Sequence, residues 1–289
     1  MLKYKVDKVY PTIVRYVLEK RGWTKAKEGE KWNLYWRNGR FNAQDVLQAS
    51  PNQRFNHFIN SGLITRKAGM THYLKNMRKK YGEAFDYTPP SLVINKENQA
   101  EICASLKEQT KKRTWIVKPS NGSQGRGIKI VDDLETVDLP NDRIYTAQLY
   151  IQNPWLLMGY KFDIRLYALV TSFHPLTIHL YKEGLVRFAT KKYDDVVESD
   201  DGSGKMDTFK HLTNTSINKY SPLFVSLGNQ KKVIDEATRQ MIQEAQLRST
   251  FEADITQALG LGSQSKRTLR QLITYMHKNN IDFRPIWKE

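Results

Sequence analysis

Apolar residues recur at helical spacing in several stretches of the chain. Over residues 7–22 this spacing predicts an amphipathic helix that stops at Gly22. The same pattern predicts helices over residues 65–81, about 231–259 and 265–279. The last of these helices carries its apolar stripe on Leu269, Leu272, Ile273 and Met276.

Short extended segments follow the first helix. Trp23 lies on one of them, and Trp32, Tyr35 and Trp36 lie on the next, after the charged run KAKEGEK. This arrangement favours a hairpin or a strand-loop-strand unit whose aromatic rings pack in a core.

The pattern changes to β-strands after Thr114. Strands are expected at residues 115–119, 127–131, 144–151 and 162–172. The runs LTIHLY and LVRFAT flank Lys182-Glu183-Gly184 and predict a β-hairpin with Arg187 on its second strand. Because Tyr87-Thr88-Pro89-Pro90 interrupts the pattern, we expect two lobes, residues 1–88 and 89–289, of α+β class.

Composition indicates a folded protein of a reducing compartment. The 289 residues include six Trp and eleven Phe, which a disordered chain would lack. The single cysteine, Cys103, excludes an internal disulfide and a zinc site made of thiolates. The amino terminus has no apolar signal region, and no apolar run is long enough to span a bilayer. We therefore expect a cytoplasmic location and no membrane partner.

The net charge of +16 predicts attraction to polyanions of some kind. Nucleic acid, an anionic membrane face and an acidic protein tail all satisfy this condition. Much of the charge lies on the predicted helix over residues 65–81, whose lysines and arginines form either a solvated face or a contact with an acidic partner.

A glycine-rich loop runs from Lys118 to Ile128, between two predicted strands. Its glycines would let backbone amides approach phosphate oxygens, to which Lys118 and Arg126 would add positive charge. The loop is neither a P-loop nor a dinucleotide fingerprint, because the glycine order and the following residues differ. By itself it fits a phosphate cradle or an ordinary hairpin loop.

Three further segments carry polar groups that suit a ligand site. The strand end at residues 148–151 can pair with an adenine edge or simply enter a turn. Lys161, Asp163 and Arg165 alternate with apolar residues and share one strand face, which is either a site or a solvated face with cross-strand ion pairs. The run His211-Leu212-Thr213-Asn214 can hydrogen-bond phosphate, although a single histidine is more often structural.

Taken together, four blocks resemble the core of the tubulin tyrosine ligase-like family in order and spacing. They are WIVKPSNGSQGRGI, AQLYIQNPWLLMGYKFDIRLYALV, LYKEGLVRFA and HLTNTSINKYS, and weaker similarity extends upstream. The resemblance implies an ATP-grasp fold, in which two α+β lobes hold ATP between sheets. It also implies an ATP-dependent ligase that adds an amino acid to tubulin tails.

The resemblance implies a role for each matching residue. Nucleotide contacts would come from Lys118, Gln124, Gly125, Arg126, Gly127, Ile128, Gln148, Leu149, Tyr150, Ile151, Lys161, Asp163, Thr213 and Asn214. The incoming amino acid would be bound by Arg187, Thr215, Ser216 and Lys219. The residues expected to act in catalysis are Arg165, Arg187 and Lys219. A guanidinium such as that of Arg187 suits a carboxylate because two parallel hydrogen bonds fix its orientation.

The implied reaction has two steps. ATP phosphorylates a glutamate side chain of the tail, and the amine of the incoming amino acid then displaces phosphate from the acyl phosphate. Ser216-Ile217-Asn218-Lys219 resembles the glutamylating members, whereas Thr215 departs from the aromatic residue that several of them carry. Glutamate is therefore the first choice, with glycine and tyrosine as alternatives.

The implied partners are tubulin or microtubules, through their acidic tails, and free glutamate. The acidic tail fits the positive charge better than nucleic acid, because RNP aromatics and paired Cys/His motifs do not occur. Binding to nucleic acid remains a third hypothesis from another functional class. The resemblance places the protein in the cytoplasm on the cytoskeleton, with the axoneme of a cilium or flagellum among the candidates.

Mg²⁺ is the second implied cofactor, and its ligands are not found in the sequence. The family's closing strand ends in a Glu-x-Asn pattern, which nothing after Asn214 matches, and Glu252, Asp254 and Asp282 are not assigned. We therefore expect either an incomplete form of a longer ligase or a short form that binds nucleotide or tubulin without catalysis.

Overall fold

The computed structural model describes residues 1–7, 12–107, 113–194, 206–224 and 266–282. The chain divides into two compact units, Met1–Lys80 and Tyr81–Glu289. Both units combine helices and sheets, which is consistent with the expected α+β class. The limit expected between residues 88 and 89 stays a prediction.

The first unit contains a parallel sheet. Its strands are β1 (Lys3–Val6), β2 (Thr24–Lys25), β3 (Leu34–Trp36) and β4 (Arg54–Phe55), in the order β2-β1-β3-β4. The strand-loop-strand interpretation is confirmed and the hairpin is wrong, because β2 and β3 pair with opposite edges of β1. Edge-to-face contacts join Trp32 to Tyr35 and Phe55, and Phe41 to both of these rings, as expected for a core.

Two predicted helices of this unit are present. Helix α1 (Thr12–Lys20) is followed by Gly22 at φ +78°, and residues 8–11 of the predicted helix lie outside the described residues. Helices α2 (Ala43–Leu47) and α3 (Gly62–Thr65) are short, and α4 (Lys67–Tyr81) is the predicted basic helix. Leu74 of α4 is buried, whereas Lys75 and Lys79 are exposed.

The second unit begins with an antiparallel sheet. It consists of β5 (Ser91–Ile94), β6 (Trp115–Pro119), β7 (Lys129–Val131) and β8 (Tyr145–Leu149), in the order β5-β8-β6-β7. Helix α5 (Gln99–Lys107) follows β5. Ile94, Val117 and Ala147 lie in a buried cluster on this sheet. In β6 the buried Trp115 and Val117 alternate with less buried residues, as expected for a strand with one face on the core.

A second sheet has the order β14-β13-β10-β9. Its strands are β9 (Leu156–Leu157), β10 (Tyr160–Arg165), β13 (Leu185–Lys192) and β14 (Lys266–Thr268). Helix α8 (Leu269–Lys278) packs on it through Leu269, Leu272 and Met276, which confirms most of the predicted stripe. The helix begins later than expected, because Lys266–Thr268 forms a strand beside β13 and Thr268 caps the helix.

The predicted hairpin around Lys182-Glu183-Gly184 is wrong. β11 (Ala168–Phe173) and β12 (Leu176–Leu180) pair with each other as a separate two-stranded sheet, whereas β13 pairs with β10. The strand expected over residues 162–172 is therefore two strands, β10 and β11. A Cβ on Gly184 would lie 2.8 Å from the carbonyl oxygen of Arg165, so this glycine permits close packing rather than a turn.

Two short helices, α6 (Thr208–His211) and α7 (Thr215–Asn218), follow β13 in the described part of the chain. The helix expected over residues 231–259 lies outside the described residues. Within the described ranges, no helix is both long enough and apolar enough to cross a membrane.

Candidate active site

Neighbouring strands of the first sheet of the second unit join two predicted nucleotide-binding residues. Lys118 on β6 donates a hydrogen bond from Nζ to Oε1 of Gln148 on β8, at 2.7 Å. The other end of the Gln148 amide donates to Oγ of Ser91, at 3.0 Å. Because both ends of the amide are engaged, its oxygen is held toward the lysine.

The glycine-rich loop connects the antiparallel strands β6 and β7 and is therefore the loop of a hairpin, while its role as a phosphate cradle stays a prediction. Gln124, Gly125 and Gly127 have φ values of +62°, +78° and +69°. The left-handed conformation is unfavourable for most side chains, which explains the glycines. Sequence reasoning did not anticipate the third such position, at Gln124.

This loop lies against helix α7. The hydroxyl of Ser216 donates to the carbonyl oxygen of Gln124, at 2.6 Å. A Cβ on Gly125 would lie 2.4 Å from Cδ1 of Ile217 and 3.0 Å from Oδ1 of Asn214. The loop can approach the helix this closely only because residue 125 lacks a side chain.

A cavity of about 460 Å³ opens between the loop and the two short helices. Its lining combines two cationic side chains with hydroxyl, amide and aromatic groups: Gln124, Arg126, Thr208, Phe209, Ser216, Ile217, Lys219 and Tyr220. Four of these residues are among the predicted site residues. The volume lies within the range that small-molecule ligands occupy in proteins.

Asp163 and Arg187 form a cross-strand ion pair in the second sheet. They are register partners on β10 and β13. Arg187 donates from Nε to Oδ1 of Asp163 at 2.8 Å and from Nη2 to Oδ2 at 2.5 Å, and Thr213 donates to Oδ2 at 2.6 Å. The hydrogen bonds from Arg187 to Asp163 raise the pKa of the guanidinium. This pair matches the cross-strand ion pair that sequence reasoning kept as an alternative.

Lys161 brings a second lysine to the site. The pKa of Lys161 is lowered to about 8, mainly by burial and also by the positive charge of Lys118, while the carboxylate of Asp163 opposes both effects. Because the charge of Lys118 affects the pKa of Lys161, the two ammonium groups lie near each other. Arg187 adds a third positive group on the strand that pairs with the strand of Lys161, so the region favours an anionic ligand.

The turn between α6 and α7 is fixed by a buried amide. Asn218 is fully buried and its Oδ1 accepts hydrogen bonds from the backbone N–H and the hydroxyl of Thr190. Its Nδ2 donates to the carbonyl oxygens of Leu212 and Asn214. The turn that carries Thr213 and Asn214 is therefore held on β13.

The described structure thus brings most predicted site residues together. Lys118 meets Gln148, Asp163 meets Arg187 and Thr213, and Ser216 and Asn214 meet the loop. Arg165 and Ile151 are exposed, and no hydrogen bond joins Arg165 to the cluster within the described ranges. The roles predicted for all these residues in ligand binding stay predictions.

Sequence reasoning singled out Tyr150 and His211 but missed Tyr193, Gln152 and the contacts that join these side chains. The Tyr150 side chain contacts Lys161 and His211, and Tyr193 donates to the carbonyl oxygen of Gln152 at 2.6 Å. His211 is 1% exposed, in agreement with the structural role that was weighed for it. No local pattern marks these partners, because they come from segments distant in the chain.

The described residues do not fit a Mg²⁺ site. No group of three or more His, Cys, Asp or Glu side chains suited to a metal occurs among them. Asp163, the acidic side chain nearest the two lysines, already accepts hydrogen bonds at both oxygens. A hard cation needs free carboxylate oxygens, which this cluster does not offer.

Comparison with known proteins identifies relatives. Residues 46–273 match the tubulin-tyrosine ligase family. The chain is 40% identical over 227 residues to the probable tubulin polyglutamylase TTLL2 of Mus musculus, an alignment that covers 75% of this chain and 40% of the relative. It is 34% identical over 297 residues to the human protein of the same name, covering 100% of this chain and 44% of the relative.

A further relative is the human tubulin polyglutamylase TTLL7, with 31% identity over 280 residues, 96% of this chain and 27% of the relative. The chain therefore spans less than half the length of these relatives. The family match covers most of the chain and includes the residues of the site described above. The chain belongs to the tubulin-tyrosine ligase family.

Proposed function

We propose that this chain carries the nucleotide and amino-acid sites of an ATP-dependent ligase that adds glutamate to glutamate side chains in tubulin tails. The observation that carries the proposal is its similarity, over the full chain, to a probable tubulin polyglutamylase. An ATP-grasp arrangement, with ATP held between two lobes, and a location on the cytoskeleton, including the axoneme, belong to the same proposal.

The positive groups of the second unit support ATP as the ligand. Lys118 and Lys161 lie close enough for the charge of one to lower the pKa of the other, and Asp163 is already paired with Arg187. A triphosphate would relieve the repulsion between the lysines, since each ammonium can donate to phosphate oxygens. The backbone of the adjacent loop can approach phosphate at Gly125 and Gly127.

The cavity beside the loop supports an amino-acid site. Lys219 and Ser216 line it. Arg187 would reach the amino-acid carboxylate only by sharing or releasing its hydrogen bonds to Asp163. Because the guanidinium has five donors, it can hold two carboxylates when both approach in its plane.

The chemical role of these residues is to position and to neutralise charge. The γ-phosphoryl group passes from ATP to a tail carboxylate with loss of ADP, and the incoming amine then displaces phosphate to form the amide. The lysines and arginines balance the negative charge that accumulates on the transferred group. No protein nucleophile is needed. Because the described residues do not fit Mg²⁺, no step is assigned to the metal.

The exposed lysines of α4 support recognition of the acidic tail. Lys75 and Lys79 are separated by one helical turn, and the sequence of α4 contains no Asp or Glu. Like charges at this spacing disfavour the helix slightly, so an acidic peptide would relieve their repulsion. Such a contact weakens with salt because exposed charges are screened.

An incorporation assay tests the proposed function. The 289-residue chain is incubated with ATP, microtubules and labelled glutamate, glycine or tyrosine in separate reactions. We expect label from glutamate only, dependent on ATP and absent from tubulin without its tails. Preferential incorporation of another amino acid would contradict the choice of glutamate.

One observation favours a second candidate, a non-catalytic member that binds nucleotide and tubulin. Both oxygens of Asp163 are engaged, so the cluster resembles a closed ion-pair network as much as an open site. This candidate predicts ATP and microtubule binding without incorporation of any amino acid in the same assay.

A further inference from the structure

A hydrogen-bonded chain of three side chains runs from Lys161 on β10 into the protein interior. Lys161 Nζ donates to the hydroxyl of Tyr150 at 2.9 Å, and that hydroxyl lies 2.9 Å from Nδ1 of His211. Tyr150 is 8% exposed and His211 is 1% exposed. The two inner members are therefore fixed by packing, whereas the lysine is only partly buried.

Aromatic rings enclose the ammonium group as well. Lys161 Nζ lies 4.5 Å from the centroid of the Tyr150 ring and 5.6 Å from that of Tyr193. Both tyrosine rings and the His211 ring are in contact, with His211 edge-on to each. Because rigid rings restrict the lysine to few rotamers, the ammonium group is held in one place.

The environment otherwise disfavours a charged lysine at this position. Burial and the nearby charge of Lys118 both favour the neutral amine. Asp163 opposes them through its negative charge. The Tyr150 hydroxyl accepts a hydrogen bond from Nζ, and an acceptor bonded to an ammonium favours its charged form. In the tautomer in which Nδ1 of His211 accepts from that hydroxyl, the bond polarises the phenol further, as expected for linked hydrogen bonds.

We propose that Tyr150 and His211 are positioning residues that hold the ammonium group of Lys161 in one place near Lys118 and preserve its charge for an anionic ligand. The inference rests on the proposed function, because the ligand it serves is the triphosphate of ATP. Tyr150 remains a phenol at neutral pH, since burial raises its pKa. The hydroxyl can therefore continue to act in the chain across the physiological range.

The titratable and charged groups around Lys161 come from five elements of the described structure. Lys118 lies on β6, Tyr150 follows β8, Asp163 shares strand β10, Tyr193 follows β13 and His211 ends α6. Among the described residues, the Tyr150 hydroxyl accepts the hydrogen bond that Lys161 donates from Nζ.

The test measures the ionisation of Lys161 directly. Reductive methylation, which modifies only the neutral amine, is followed at Lys161 by mass spectrometry between pH 6 and 10. We expect Tyr150→Phe, which keeps the ring and removes the hydroxyl, to increase the labelling rate at pH 7 about fivefold, as a midpoint lower by about one pH unit would give. His211→Gln should produce a smaller increase, and Tyr181→Phe, on an exposed tyrosine, should produce none.

An unchanged pH profile in folded Tyr150→Phe would overturn the inference, because a residue that only packs would leave the midpoint where it was. Circular dichroism shows whether each variant is folded. If Tyr150→Phe does not fold, the pH profile of labelling in His211→Gln is the test, and an unchanged midpoint there overturns the inference. Protection of Lys161 by added ATP tests the proposed nucleotide site separately. If ATP does not protect Lys161 in the unmodified protein but Tyr150→Phe still shifts the pH profile of labelling, the nucleotide site is rejected and the positioning role is kept.

Discussion

Asp163 and Arg187 face each other across the antiparallel pair β10 and β13 and share two hydrogen bonds. The arrangement links the residue proposed to hold nucleotide to the residue proposed to bind the amino acid. Because Thr213 donates to the same carboxylate, the turn before α7 joins the link. A change at Asp163, which accepts hydrogen bonds from both partners, therefore reaches both proposed sites.

Replacing either member of this pair should destabilise the protein and weaken amino-acid use. Arg187→Ala leaves the partly buried carboxylate of Asp163 with Thr213 as its remaining hydrogen-bond donor among the described contacts. We expect this variant to lose amino-acid transfer, with at most a few-fold change in ATP affinity. A double-mutant cycle with Asp163→Asn should give a coupling energy of about 1–2 kcal/mol in urea unfolding, reduced by the partial exposure of both groups. Additive effects would mean that the pair contributes nothing of its own.

Gly125→Ala should disturb the loop and weaken nucleotide binding. The new methyl group would meet Ile217 and Asn214, and φ of +78° adds strain, so we expect a loss of about 1–3 kcal/mol in stability. Gly29→Ala is the matched control, since Gly29 has φ of +76° with no atom within 4 Å of the new Cβ. Equal losses of ATP affinity in both variants would show that contact with α7 is not the reason.

Reversing the charge of Lys75 and Lys79 should reduce binding to microtubules. Lys75→Glu with Lys79→Glu places two negative charges opposite an acidic tail, and we expect at least a fivefold weaker association in co-sedimentation at low salt. Lys20→Glu with Arg21→Glu changes the net charge equally on another surface and should have a smaller effect. If both double variants lose the same microtubule affinity, binding depends on the net charge of the protein and not on the lysines of α4.

The ionisation of Lys161 should produce two opposite pH dependences. Its pKa of about 8 in the folded protein lies below its ordinary value of 10.5, so the unfolded chain binds more protons between these values. The free energy of unfolding should therefore increase from pH 8 to 10.5, by on the order of 1–3 kcal/mol. ATP affinity should fall over the same range, because the neutral amine no longer attracts phosphate.

Lys161→Met provides the comparison for both measurements. This variant should lose most of the rise in unfolding free energy between pH 8 and 10.5, and its weaker ATP binding should vary less with pH. An ATP affinity of the unmodified protein that is constant from pH 7 to 9.5 would contradict the placement of Lys161 beside the phosphates.

Local patterns in the sequence predicted the helices and strands that bury one face and expose the other. The stripe of α8 was recognisable because Leu269, Leu272 and Met276 repeat at helical spacing, and WIVKP gave β6 with its limits. The glycine-rich loop was also recognisable, since glycines mark positions with positive φ. These features depend on neighbours in the chain.

Contacts between segments that are far apart in the chain could not be predicted from local sequence patterns. Gly184 suggested a turn, whereas its lack of a side chain permits contact with the backbone of Arg165. Lys266–Thr268 forms a strand because β13 offers a free edge, which residues 266–268 do not reveal by themselves. The contacts of Tyr150 with His211, or of Asn218 with Thr190, likewise arise only when the fold brings them together.

An ATP site at Lys118 and Lys161 is tested most directly by a calorimetric titration of the 289-residue chain with ATP at pH 7. We expect one equivalent to bind, with at least tenfold weaker binding in Lys161→Met and in Lys118→Met and unchanged binding in the exposed-surface variant Lys20→Met. Absence of binding to the unmodified chain, or equal affinity in all four proteins, would contradict the claim that these lysines form a nucleotide site.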